Sequence, residues 1–306
     1  MLVDTRPYLS QLVEMYKAIF SFFDQVIKGM GQIMLKESIL TGVLVTIGVF
    51  VGGWRTFLAT LAAAAAGTLT ARLFGFDRKK IDSGLYGFSA ALVGAAIGLL
   101  FDLTPTTWIA VILGGAAAAL VQHIFLRKEL PGYTFPFILV TWATVFVLRN
   151  FAQVPGPNLF LGKHDALALG NAFAVTNGFG EVTFQKNVFS GIFIFIGVLA
   201  ADIRAALYGF TASLAGALIA QASGQAADAV TLGLFGFNPV LTAIALSGPT
   251  KRDLLFCIIG VIITIGVNLA FANTEIFDAV GGAFTFPFVL ATWITSLIKK
   301  TSAKQQ

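Results

Sequence analysis

The 306 residues are 57% hydrophobic and only 11% charged, with mean hydropathy +0.85 and a formal charge of +5. Soluble globular chains carry about 25% charged residues, and a water-soluble fold with this much apolar surface would expose patches that aggregate. Soluble, disordered and disulfide-scaffold classes are excluded, the last because Cys257 is the single cysteine and sits in an apolar run, which leaves the bilayer as the solvent.

The opening residues, MLVDTRPYLS, lack the basic start and apolar core of a cleavable signal peptide. Leu9, Leu12, Val13, Tyr16, Ile19, Phe20, Phe23 and Ile27 then recur at three- and four-residue spacing, with Glu14, Lys17, Ser21 and Asp24 on the other face. Residues 1–28 thus read as an amphipathic, interfacial segment, either a membrane-surface anchor or a helix for a partner. It runs into a stretch, 20–35, too polar and Gly-broken to span, which predicts a short re-entrant helix.

Ten charge-free apolar windows follow: 39–54, 57–71, 84–101, 108–126, 134–148, 188–201, 205–220, 230–248, 254–271 and 284–298. Several are shorter than the roughly 20 residues a helix needs to cross hydrocarbon. They must extend into flanking polar positions or stop part-way. Between the fifth and sixth lies 152–177, a linker with Pro155, Gly156, Pro157 and Gly170, and a second short polar stretch at 173–186. Assigning the N-terminus, the loops after spans two, four, six and eight, and the C-terminal tail 299–306 to one side collects 16 Lys and Arg there. Only Arg55, Arg149, Lys163 and Lys186 remain on the other. That asymmetry predicts cytoplasmic termini for a multi-pass protein of the cell membrane.

Shifted by 149 residues, the chain matches itself. GMGQIMLKESILTG (29–42) lies over GFGEVTFQKNVFSG (178–191), and Gly84-Leu85-Tyr86-Gly87-Phe88 over Gly233-Leu234-Phe235-Gly236-Phe237, with 19 identities across 29–94. After a two-residue insertion Thr134-Phe135-Pro136-Phe137 matches Thr285-Phe286-Pro287-Phe288, and Thr141-Trp142 matches Thr292-Trp293. Residues 29–151 and 178–298 are therefore read as two five-span repeats. Five is odd, so the second copy enters from the opposite side, giving an all-α membrane fold of ten helices in two inverted repeats.

Proton pumps and ion-coupled carriers keep ionisable side chains inside their helices, whereas these windows hold only His123, near a helix end. A neutral solute moving downhill fits that absence. No HExxH, GxSxG or intramembrane carboxylate pair is present, His164 lies in the linker, and the chain reads as no enzyme, with no cofactor or metal. What recurs in both halves is a set of paired positions. Gln32 and Glu181 open the repeats, followed by Leu35 and Phe184; Phe88 with Leu92 and Phe237 with Leu241 stand one helical turn apart; Thr134 and Thr285 precede a helix start. Each has a packing alternative: the threonines could be N-caps, the glycines helix contacts, and Gln32 and Glu181 partners for broken backbone.

The paired GLxGF…L segments and LPGYTFPF (130–137) resemble the urea transporter family over about 20–298. The second LPxxTxPF-type element keeps Thr285-Phe286-Pro287-Phe288 but lacks Leu-Pro, the family's Asn-Pro is present at Asn238-Pro239 but is Ser89-Ala90 in the first half, and Leu35 stands where a phenylalanine is expected. The resemblance implies a passive urea channel, a homotrimer with one pore per subunit. It also implies slots built by Leu35, Phe184, Phe88, Leu92, Phe237 and Leu241, and solute binding by Gln32, Glu181, Thr134 and Thr285. Ammonia, short amides or water as cargo, and an ion-coupled secondary transporter, are the alternatives.

Overall fold

The computed structural model describes residues 6–156 and 175–304. Most of the predicted linker, Pro157 and Gly170 included, lies outside the described residues. Every described element is helical: α1 (Arg6–Gln32), α2 (Ile39–Gly52), α3 (Trp54–Leu73), α4 (Arg78–Asp82), α5 (Gly87–Leu100), α6 (Pro105–Arg127) and α7 (Phe135–Asn150) precede the gap. A helix over 175–181, α8, follows it. Then come α9 (Val188–Ala201), α10 (Ile203–Ala222), α11 (Ala227–Thr231), α12 (Phe237–Leu246), α13 (Lys251–Ala272), a 3-10 turn at Asp278–Val280, and α14 (Phe286–Lys304).

Each apolar window carries one principal helix, but the lengths are uneven. Among the described residues α3, α6, α10 and α13 are long and apolar enough to cross a membrane. Helix α12 has 10 residues, which at 1.5 Å each cover about half of a 30 Å hydrocarbon core. Local chemistry sets these limits. Ser38 caps α2 by accepting from Thr41 N, Thr104 followed by Pro105 opens α6, and Thr250 with Asp253 forms a reciprocal capping box at α13. Gly53 alone separates α2 from α3, and Asp202 alone separates α9 from α10.

Exteriors of the long helices are apolar. Ile109, Ile112 and Leu113 of α6 and Leu255, Ile258 and Ile262 of α13 are exposed, a surface that only lipid or another protein tolerates. The continuous α1 has its stripe of Leu12, Val13, Tyr16 and Phe20 open in the same way. Its other side is tied down: Arg72 Nε donates to Gln25 Oε1 at 2.7 Å, and Gln25 Nε2 donates to Asp82 Oδ1 at 2.6 Å.

Packing recurs with the 149-residue spacing. Helices α2 and α9 both have 14 residues, α3 and α10 both have 20, and α4 and α11 both have 5. A Cβ on Gly42 would run into the Ile27 carbonyl, and one on Gly191 into the Thr176 carbonyl; both pairs are 149 apart. Gly84 and Gly233 turn at φ 80° and 87°, each with its backbone against α1 or α8, where a side chain would be strained and blocked.

The halves are stitched together directly. Helix α2 packs on α9, with Thr41 Oγ1 donating to Gly197 O at 2.7 Å. Trp142 Nε1 donates to Gly282 O (2.9 Å) and Trp293 Nε1 to Pro131 O (2.7 Å), a reciprocal clamp of each half on the loop ahead of the other's last helix. Lys36 Nζ meets Asp202 Oδ2 at 2.8 Å. Burial pulls the Asp202 carboxyl upward, but the Lys36 hydrogen bond and charge and the α10 backbone N–H groups outweigh it, holding it below the ordinary aspartate value.

Gly42→Ala should lower the unfolding midpoint in detergent, at a cost of about 1–3 kcal/mol for overpacking against backbone. Gly266→Ala, where nothing lies within 4 Å of the added carbon, should be neutral or gain up to about 1 kcal/mol of helix propensity. A depressed aspartate stabilises above its unfolded pKa and stops doing so as pH falls through the folded one. The midpoint should therefore decline below about pH 3.9, and Asp202→Asn should remove that part of the decline, as read by melts across an acid series.

Candidate functional site

Helix α1 ends at Gln32 among Met30, Ile33 and Met34, all fully buried. The chain closes the end with Leu35 N bonding Gln32 O and Lys36 N bonding Gly31 O; Phe184 N to Glu181 O and Gln185 N to Gly180 O repeat the closure after α8. The residue that makes this closure takes a left-handed conformation, commonly supplied by glycine. Here it is Leu35 (φ 57°) and Phe184 (φ 61°). Non-glycine residues in that region cost about 1–3 kcal/mol and persist where the side chain is needed. A second strained pair, Tyr133 (φ 46°) and Phe284 (φ 50°), stands ahead of α7 and α14.

Those two turns bring the sites together. Phe184 packs edge-on to Phe284, with centroids 5.9 Å apart, and lies 6.2 Å from Phe137. Phe88 and Leu92 lie buried on α5, and Leu241 is buried on α12 with Phe237 partly covered one turn earlier. All six apolar residues expected from the sequence belong to one contiguous apolar cluster, which also takes in Tyr133, Phe137 and Phe284. These last three were not anticipated, although the doubled Thr-Phe-Pro-Phe motif marks their neighbourhood.

Two polar pairs behave differently. Thr134 Oγ1 and Thr285 Oγ1 meet at 2.6 Å, one from each half and both buried. Thr134 stands at the N-cap of α7 but makes no side-chain capping bond, so the capping alternative fails for it: its hydroxyl pairs with its counterpart instead. Gln32 and Glu181 take unequal partners. Gln32 Nε2 donates to the Ser83 carbonyl at 3.0 Å, as the backbone-partner alternative expects. Glu181 has no amide to repeat that bond, and its Oε2 is buried without a hydrogen-bond partner, where buried polar atoms are ordinarily satisfied.

Asn238 is the remaining hub. Its amide donates to the Phe284 carbonyl (3.2 Å) and its Oδ1 accepts from Phe288 N (3.3 Å), locking α12 to the strained turn ahead of α14. The equivalent Ser89 instead donates to Gln122 Oε1 at 3.1 Å. His123 bonds Tyr86 Oη at 3.1 Å and stacks on Phe76, a structural role at the end of α6. The paired apolar residues thus fall in one cluster and several of the paired polar groups are buried, with no group of three His, Cys, Asp or Glu able to hold a metal among the described residues.

The profile described as "Urea transporter" matches residues 23–300. The chain is 25% identical over 247 residues to Urea transporter 1 of Rattus norvegicus, covering 75% of this chain and 64% of the rat protein. It is 24% identical over 318 residues to Urea transporter 1 of Ovis aries, covering 96% of this chain and 81% of the sheep protein. The chain thus spans just under two thirds of the rat relative's length.

Proposed function

Because the chain belongs to the urea transporter family, we propose that it conducts urea passively across the cell membrane, through a pore between its two halves. In this reading ten helices form two inverted five-helix repeats, each opening with a re-entrant helix, α1 or α8, and both termini are cytoplasmic. The protein works as a homotrimer with one pore in each copy.

The observation that carries the reading is the Thr134–Thr285 hydroxyl pair at 2.6 Å. Polar groups contributed equally by both halves, buried at their junction, are what a pore for a polar solute needs at its centre. Urea is flat and neutral, with one acceptor oxygen and four N–H donors. Stripping water from such groups without replacement costs roughly 2–7 kcal/mol. Thr134, Thr285, Gln32 and Glu181 supply replacement partners in line, while Leu35, Phe88 and Leu92 in one half and Phe184, Phe237 and Leu241 in the other form slots that admit a plate and exclude bulkier solutes. Passive conduction is favoured because the ten apolar windows hold no Asp, Glu, Lys or Arg to couple an ion, which leaves Glu181 as the single acid among the proposed solute contacts.

Purified protein in liposomes should raise stopped-flow urea flux well above that of empty vesicles, without dependence on a sodium or proton gradient. No urea flux overturns the proposal, and gradient dependence replaces it with coupled transport. Thr134→Val combined with Thr285→Val should cut urea flux about tenfold, the value of one lost hydrogen bond in the crossing. The size-exclusion profile should not change. If Phe88→Ala and Phe237→Ala retain wild-type rate and selectivity, those rings are packing residues and the slots lie elsewhere.

A further inference from the structure

We propose that Asn177 is a further substrate-selecting residue, forming with Glu181 a buried pair of acceptors that recognises N–H donors of the solute; the proposal rests on the urea-conduction reading above. Residues 177 and 181 are four apart on α8, so their side chains leave the same face about 6 Å apart. Asn177 Oδ1 and Glu181 Oε2 are both buried, with the residues 2% and 6% exposed, and neither oxygen has a hydrogen-bond partner. Buried oxygens are ordinarily satisfied. Two unsatisfied ones a helical turn apart form a cradle matched to a molecule with several N–H groups.

Comparison of the halves explains how both oxygens come to be free. In the first half Gln32 donates to the carbonyl of Ser83, the C-cap residue just after α4. Its counterpart Glu181, when ionised, has no hydrogen to donate. Asn177, one turn earlier, takes over a neighbouring duty: its Nδ2 donates to the carbonyl of Thr231, the last residue of α11, at 2.7 Å. That bond also settles the amide's orientation, turning Oδ1 away from Thr231. The equivalent of Asn177 in the first half is Lys28, which reaches Asp24 at 2.9 Å. One half therefore presents an ammonium and an amide at these positions, the other an amide and an acid, so the acceptor pair exists only on α8. In the orientation proposed above α8 enters from outside, so a solute arriving from that side would meet Asn177 before Glu181.

The test compares urea flux through Asn177→Leu and Asn177→Asp in the same liposomes, because neither side chain repeats the amide donation to Thr231 and only the second keeps an acceptor. Asn177→Leu should lower urea flux about tenfold, as for one lost hydrogen bond, while Asn177→Asp should lose no more than about threefold. Equal loss in both variants would assign Asn177 to holding α11 and overturn the proposal, as would no loss in either. If Asn177→Leu fails to fold, Asn177→Asp decides the matter. A loss of about tenfold or more in Asn177→Asp would then overturn the proposal. A wild-type protein with no urea flux removes the conduction reading and this proposal with it. A conducting wild type with an indifferent Asn177→Leu removes this proposal alone.

Discussion

A helix that stops inside an apolar interior leaves its last carbonyls without water, and every such group must find a partner in the protein. This chain stops a helix in that way twice, after Gln32 and after Glu181, and most of its special features answer to those two ends. Gly31 and Gly180 allow the closing turns to fold back onto the start of α2 and of α9. Gly42 and Gly191 let the next helix lie against the carbonyls of Ile27 and Thr176. Leu35 and Phe184 accept left-handed backbone so that side chains, rather than hydrogens, occupy the tips of the turns. The short helices α4 and α11 are held in turn by amides from α1 and α8.

Much of this was legible in the residues, and the rest was not for physical reasons. Charge-free windows located a helix each, because apolar composition is what lipid demands. They could not show where within 230–248 the backbone bends: that window covers the end of α11, a turn through Gly233 and only 10 residues of α12. The 149-residue match found the paired positions, but not which pairs touch. Thr134 and Thr285 meet, whereas Gln32 and Glu181 hold different partners. The strain at Tyr133 and Phe284 was hidden since neither residue type signals φ above zero. The clamps from Trp142 to Gly282 and from Trp293 to Pro131 join positions 140 and 162 residues apart, and no local pattern encodes such a meeting.

The halves are alike in backbone and unlike in chemistry. Lys36 meets Asp202 where the other half sets Gln185 against Gly52. Ser89 stands for Asn238, and Gln32 for Glu181. The 149-residue repeat thus gives helices of matching length twice, and the polar differences within it distinguish the two halves.

The hydroxyl pair at the junction is not neutral in its bonding capacity. Each hydroxyl brings one hydrogen and two lone pairs, and the bond between Thr134 and Thr285 consumes one of each. What remains is a single hydrogen against three lone pairs. The centre of the molecule is therefore a net base in the hydrogen-bonding sense, and because only one of the two oxygens can own the shared hydrogen at a time, the junction carries a polarity that reverses whenever the two hydroxyls rotate together.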